Sequence, residues 1–393
     1  MHGSSTSPRC LMGRQVWLIV VIFTLALVGG CERGQAIAPS GKVVKLGVVG
    51  PFSGADRAMG QEGLNGIKAA LDLRPLLANG DAIELVTVDD RNAPVLTVKA
   101  MHSLASDKAV SAILLASSSG SALAAGAVAD DLQIPVLALS ATHTEVTGDH
   151  GFVSQLCSDN SFQGSVAALF VRDELLLDKV AVIRDAGSFY SSQLADEFVR
   201  KFRSVGGEIT GVLAIGGEPA AMAEALQGLA SLGTDLLYLP MNADEVIPVV
   251  KTVDTMKWSP ELMGSDGLLA TALVKHPHDA GLLDGMYATD FFGSDMPLTG
   301  FGKRTARAYK SLFPETGTTY AALGAEAFEV LTGAMKRCVD PLDRECVNRM
   351  VRNTENLEGL IGRIAIGRDG KASRPLVVNA IENERLKYVV KVY

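Results

Sequence analysis

Four early apolar runs in this chain do not alternate with polar residues: "VVKLGVVG", "AIELVTVDD", "AVSAILLA" and "IPVLAL". A strand of that kind is buried on both faces, which an antiparallel sheet with one wet face does not require. Between the runs lie segments with helical spacing, "QEGLNGIKAALDL", "APVLTVKAMHSLAS" and "SALAAGAVADDL". Buried strands joined by helices predict parallel β-sheet with helices on both faces. The pattern then restarts, with "KVAVIRD", "GEITGVLAI" and "DLLYLP" as strands and "FQGSVAALFVRDELL", "SSQLADEFVRKFRSV", "AAMAEALQGLASL" and "ADEVIPVVKTV" as helices. Two comparable α/β halves are more than one sheet easily holds, so two lobes are expected. Beyond about Gly285 come the long helical stretches "FGKRTARAYKSLF" and "YAALGAEAFEVLTGAMKRC", then a hairpin-like end with "RDGK" as a turn.

With 393 residues, 48% of them hydrophobic, the chain has material for two cores. A net charge of −8 with both signs scattered excludes a nucleic-acid-binding stripe. The N-terminus reads as an export signal: Arg9 and Arg14 precede "VWLIVVIFTLALVGG", which meets Cys31. "LVGGC" reads as a lipobox, with acylation of Cys31 tethering the mature protein to a membrane outside the cytoplasm, and a transmembrane anchor as the competing reading. The run is shorter than the roughly 20 residues a span prefers. In an oxidising compartment Cys338 and Cys346 can close a small loop, leaving Cys157 as a buried free thiol. No Cys/His spacing suggests a metal, and nothing calls for a cofactor.

Two neighbouring strands end in hydroxyls: Ser117, Ser118 and Ser119 follow "AILLA", and Ser140, Ala141 and Thr142 follow "PVLAL". In open parallel sheets ligands sit beyond the C-terminal ends of strands. Ser118 and Ser119 also open a helix, whose free N–H groups receive an anion such as a carboxylate; the alternative is an ordinary helix-capping serine. Ser140 and Thr142 can face the same crevice or simply make a turn. An ammonium needs a carboxylate, and "GSDG" in the second half offers Asp266, which otherwise is a solvated turn aspartate. Tyr190 opens a helix after "KVAVIRD" and suits a pocket rim. No nucleophile elbow, phosphate loop or dinucleotide fingerprint is present, so no enzyme is expected. Asp89 and Asp90 read as structural.

In order along the chain, "KLGVVGPFSGADRAMGQEGLNGIKAA", "DDRNAPVLTVKA", "SSSGSALAAGAVADDLQIPVLALSATHTEVT", "YSSQLADEF" and "GRIAIGRDGKASRP" resemble the periplasmic branched-chain amino-acid-binding proteins, the type I solute receptors of ATP-driven importers. The resemblance covers nearly the whole chain after the signal. It implies two doubly wound parallel-sheet lobes joined by a hinge, no catalysis, and ABC permease subunits as partners. It implies a small-molecule ligand, an amino acid or amide, held by Ser118, Ser119, Ser140, Ala141 and Thr142, with Tyr190 and Asp266 completing the grip on closure. Glutamate is common where Asp266 stands. Met59 stands where many relatives carry an aromatic, and Met241 and Asn242 are further pocket candidates. The expected division is 1–30 signal peptide, 31–42 lipidated linker, 43–154 with 286–362 as one lobe, and 155–285 with 363–393 as the other, crossing near Ser154, Gly285 and Gly362. A ligand sensor without transport is the alternative function.

Overall fold

The computed structural model describes residues 1–3, 38–215, 219–293 and 295–393. The expected signal peptide and Cys31 lie outside the described residues. From Ser40 to Tyr393 the chain forms one compact unit.

β1 (Val43–Gly50), α1 (Arg57–Leu73), β2 (Ala82–Asp89), α2 (Pro94–Ser106), β3 (Val110–Leu115), α3 (Ser119–Leu132), β4 (Val136–Ala138) and β5 (Val153–Gln155) build the first sheet, in the order β2-β1-β3-β4-β5, all parallel. The absence of polar alternation has a direct cause. Along β3, Ala112 and Leu114 enter the core on one face, while Ile113 and Leu115 enter the core on the other. All six residues of β3 are buried.

After β5, α4 (Asn160–Leu169), β6 (Lys179–Asp185), α5 (Phe189–Ser204), β7 (Glu208–Ile215), α6 (Pro219–Ser231), β8 (Leu236–Leu239), α7 (Ala243–Thr255), β9 (Glu261–Gly264), α8 (Leu268–Lys275) and β10 (Tyr287–Asp290) repeat the scheme. Their five strands run parallel in the order β10-β9-β8-β6-β7. Again alternate residues part: Ala181 and Ile183 pack on one face, Val180 and Val182 on the other.

The chain returns through α9 (Gly300–Leu312), α10 (Thr319–Met335) and α11 (Arg344–Val351) to a small antiparallel sheet of β11 (Thr354–Glu358), β12 (Arg363–Ile366) and β13 (Ala372–Ser373). It ends in the hairpin of β14 (Leu376–Glu382) and β15 (Arg385–Val392). Asn383 and Glu384 both have positive φ, at 52° and 57°, as a two-residue turn with the twist of a hairpin requires. β14 adds antiparallel to β10, so the second sheet is mixed at one edge rather than wholly parallel.

The crossings fall where strands release the chain. The first lies between Gln155 and Asn160. The second follows Asp290 rather than Gly285, because Gly285, at φ 87°, makes the turn into β10, which pairs with β9 in the second sheet. The third follows Ser373 rather than Gly362, because Ile364 and Ile366 of β12 pack into the core of the first sheet. A buried ion pair sits among these crossings. Arg374 Nη1 lies 2.7 Å from Glu326 Oε2 of α10, both side chains 1% exposed, and Arg374 Nη2 donates to the Phe291 carbonyl at 3.4 Å. Glu326 Oε1 accepts from the Leu360 N–H at 2.7 Å. Cys338 and Cys346 form a disulfide between the end of α10 and α11, and Cys157 is a buried free thiol. No helix among the described residues is long and apolar enough to cross a membrane.

Helices α1 and α10 meet at glycine. A Cβ on Gly324 would run into the Gly63 backbone, and one on Gly66 into the Ala321 backbone. That close approach seats Met59, near the start of α1, and Tyr320, near the start of α10, on one cleft wall.

Candidate functional site

Both sheets have a point where the strand order reverses, between β1 and β3 in the first and between β6 and β8 in the second. Loops diverge there beyond the strand ends and leave a crevice. The two crevices face each other across a cleft of about 440 Å³ that continues into an inner recess of about 50 Å³. The first sheet supplies the loop after β1 and the start of α3; the second supplies the loops after β6, β8 and β9.

Ser118 occupies the N-cap position of α3, yet its side chain makes no capping bond, so the ordinary use of a serine there is unfilled. Its backbone N–H is not free: it donates to Asn92 Oδ1 at 3.0 Å. Ser119 Oγ accepts from the Thr142 and His143 N–H groups, both at 3.3 Å, which ties α3 to the turn after β4. As an acceptor twice over, that hydroxyl still has its own proton to give. Ser117 points away and donates to Asp90 at 2.6 Å, where Thr97 also donates. Ser140 borders the recess with its Oγ buried and unpartnered. Thr142 Oγ1 is likewise unpartnered, but Thr142 and Ala141 are fully buried behind the wall and do not line it.

On the opposite side Tyr190 Oη lies 2.6 Å from Asp266 Oδ1 and 2.6 Å from Ser265 Oγ. A phenol has one proton. The carboxylate can only accept it, so Ser265 donates to the phenolic oxygen in turn. Burial, and then the Asp266 charge, hold the Tyr190 hydroxyl well above its usual range, so it remains a donor. Burial also raises Asp266, against the pull of the Tyr190 hydrogen bond. The Asp266 N–H donates to Gln163 Oε1 at 3.3 Å, and Thr289 Oγ1 donates to the same oxygen at 2.8 Å. Gly267 makes this turn possible on two counts: its φ is 73°, and a Cβ would stand 2.5 Å from the Tyr320 hydroxyl. Behind it, burial and the Asp266 charge push Asp290 up to about 7.

Met59, Asn242, Tyr190, Ser118, Ser119, Ser140 and Asp266 thus border one continuous space. Met241 does not. Its N–H bonds back to the Leu239 carbonyl at 2.8 Å, and the tight turn sends the side chain into the second core, 2% exposed. The sequence reading missed Asn92, Asp56 and Tyr320. Asn92 Nδ2 holds Asp56 Oδ2 at 2.8 Å, and its positive φ beside Pro94 of α2 is the kind of local signal an asparagine before a helix gives. The sides of the cleft also touch: Lys275 Nζ of α8 donates to the Ala55 carbonyl at 3.2 Å, and Gln193 of α5 exchanges hydrogen bonds with Thr144 at 2.9 and 2.5 Å.

This architecture has many relatives among solved structures. The chain is similar to the leucine-binding protein LivK of Thermotoga maritima, with 25% identity, 89% of this chain and 98% of that one covered, and a TM-score of 0.81. It is similar in fold to the branched-chain amino-acid transporter substrate-binding protein LivJ of Streptococcus pneumoniae, solved with isoleucine, at 21% identity over 88% and 99% of the chains and a TM-score of 0.78. A solute-binding protein of an ABC transporter from Rhodopseudomonas palustris, solved with 3,4-dihydroxybenzoic acid, matches at 18% identity over 89% and 97%, with a TM-score of 0.78. No curated protein matches the chain in sequence. The family model described as periplasmic binding protein matches residues 43–385, from the first strand of one sheet to the final strand of the other. With two facing switch-point crevices, a cleft between them and a family match over residues 43–385, the chain belongs to the periplasmic binding protein family, with the type I, two-lobed form of its fold.

Proposed function

We propose that this protein captures an amino acid or a close amide analogue in the cleft and delivers it to an ABC importer from outside the cytoplasm, with 31–42 as a lipid-anchored linker. The reading rests on one juxtaposition above all. Asp266, held by Tyr190, borders the same small recess as Ser118 and Ser140, whose hydroxyls are uncommitted. A carboxylate opposite hydroxyls and a helix start matches a dipolar guest, with its ammonium on Asp266 and its carboxylate at α3. A benzoate-like acid lacks the ammonium and meets Asp266 as a like charge.

Ser118, Ser119 and Ser140 act from the first lobe, Tyr190 and Asp266 from the second, with Met59 and Asn242 beside the guest. Ala141 and Thr142 support the turn from behind. Each charge-assisted hydrogen bond is worth about 1.5–3 kcal/mol net, so several together favour the closed cleft. Closure proceeds as a hinge motion at the three crossings. Titration calorimetry over amino acids, amides and benzoates tests the reading, together with small-angle scattering for compaction on binding. A 1:1 amino-acid complex, weakened in both Ser118→Ala and Asp266→Ala, is expected. Unchanged affinity in both variants, or binding of benzoate alone, overturns it.

A further inference from the structure

The outer part of the cleft is acidic beyond what a simple dipolar guest needs. Asp56, Asp185, Asp244 and Glu245 all line it, and Lys275 is the one basic side chain in its wall. Lys275 is already committed, to Asp244 at 3.0 Å, and His276 lies 2.8 Å from the other oxygen of the same carboxylate. Asp244 is therefore compensated. The other three have no cationic partner among the described residues. Asp56 accepts only from the Asn92 amide and Asp185 from the Gly187 N–H at 2.8 Å. Glu245 lines the cleft half-buried, and its Oε2, turned away from solvent, has no hydrogen-bond partner, so nothing among the described residues neutralises this carboxylate. Burial first, then the charges of Asp185 and Asp244, raise the Glu245 carboxyl.

No three of these acids converge as a metal ion requires among the described residues, so a compact inorganic cation does not fit. A volume of about 440 Å³ suits a guest longer than a branched aliphatic side chain. Resting on the amino-acid reading above, we infer that the guest carries a second cation: an ammonium or guanidinium on a flexible side chain that reaches from the Asp266 recess to Glu245 and Asp185. The substrate class is then a basic amino acid, and the outer carboxylates set that specificity.

Calorimetry with L-lysine, L-arginine, L-leucine and L-norleucine tests this on the whole protein. Norleucine matches the lysine chain without its charge. Lysine or arginine binding at least tenfold tighter than norleucine is expected. Glu245→Gln combined with Asp185→Asn should bring that ratio close to one, whereas Asp266→Asn weakens every amino acid bound. On the unaltered protein, lysine affinity should fall more steeply than norleucine affinity between low and high salt, which reads the same charge without any substitution. Leucine or norleucine binding as tightly as lysine refutes the second-cation site and leaves the amino-acid reading standing. A lysine preference that survives in the double variant refutes the roles of Glu245 and Asp185. Binding of no amino acid refutes both readings.

Discussion

Replacing Asp266 by asparagine separates charge from shape. The amide oxygen can still accept from Tyr190, so the 2.6 Å hydrogen bond that seats the side chain survives and only the negative charge is lost. A guest ammonium then loses a charge-assisted bond worth about 1.5–3 kcal/mol, and at about 1.4 kcal/mol per decade the affinity falls about 10- to 150-fold. The empty protein responds in the opposite sense. Burial raises the Asp266 carboxyl, so at neutral pH its ionised form is less favourable folded than unfolded. A neutral amide removes that penalty, and the melting temperature of the ligand-free variant holds or rises. Calorimetry gives the first quantity, and thermal unfolding with and without ligand gives the second. Affinity within threefold of the parent refutes the placement of the ammonium. A ligand-free variant that melts several degrees lower refutes the placement of Asp266 as a binding rather than a scaffolding group.

The raised Asp290 carboxyl makes folding stability depend on pH. A carboxyl moved from 3.8 to about 7 binds its proton more tightly when folded, so its contribution is full below 3.8, declines as pH rises toward 7 and is gone above it; the whole span is on the order of 4 kcal/mol. Comparing unfolding free energies of parent and Asp290→Asn at pH 5 and pH 8 should show a smaller decline in the variant, and parallel curves contradict the assignment. Gly324→Ala forces α1 and α10 apart at a backbone contact that cannot yield, with a stability loss of about 1–3 kcal/mol and weakened binding, because Met59 and Tyr320 ride on those helices. An undisturbed chemical denaturation midpoint argues against it. Reducing the Cys338–Cys346 disulfide opens a loop of sequence separation 8, for which loop entropy gives about 2–3 kcal/mol. Ligand affinity should stay the same, since Cys338 follows the end of α10 remote from Tyr320.

Much of this molecule is legible along the chain because its inner strands are buried on both faces, while the edge strands β2 and β7 are only partly covered. "VSAILL" sends alternate residues into two cores, and a run with no polar member is the direct imprint of that. The hydroxyl-bearing strand ends were visible for a similar reason, since hydroxyls closing an apolar strand mark where the chain leaves the C-terminal end of an inner strand. Met241 was misplaced because its orientation depends on a one-residue turn after Leu239 that hydropathy does not encode. Asn92, Asp56 and Tyr320 meet from three distant segments, and Glu245 and Asp185 are single acids in separate loops. Only the packing of the lobes assembles them. The crossings shifted from Gly285 and Gly362 because both glycines turn the chain within a lobe rather than between lobes.

Arg374 gives the molecule a fixed axle. One guanidinium, cut off from water, touches the carbonyl at the start of the second crossing, belongs to the third itself, and is locked to α10 through Glu326. A charge so placed cannot move to a new partner without being left bare in a medium that does not solvate it. Should the lobes part as proposed above, the second and third crossings would stay pinned together at Arg374, and a chain without Glu326 would strand that guanidinium between them.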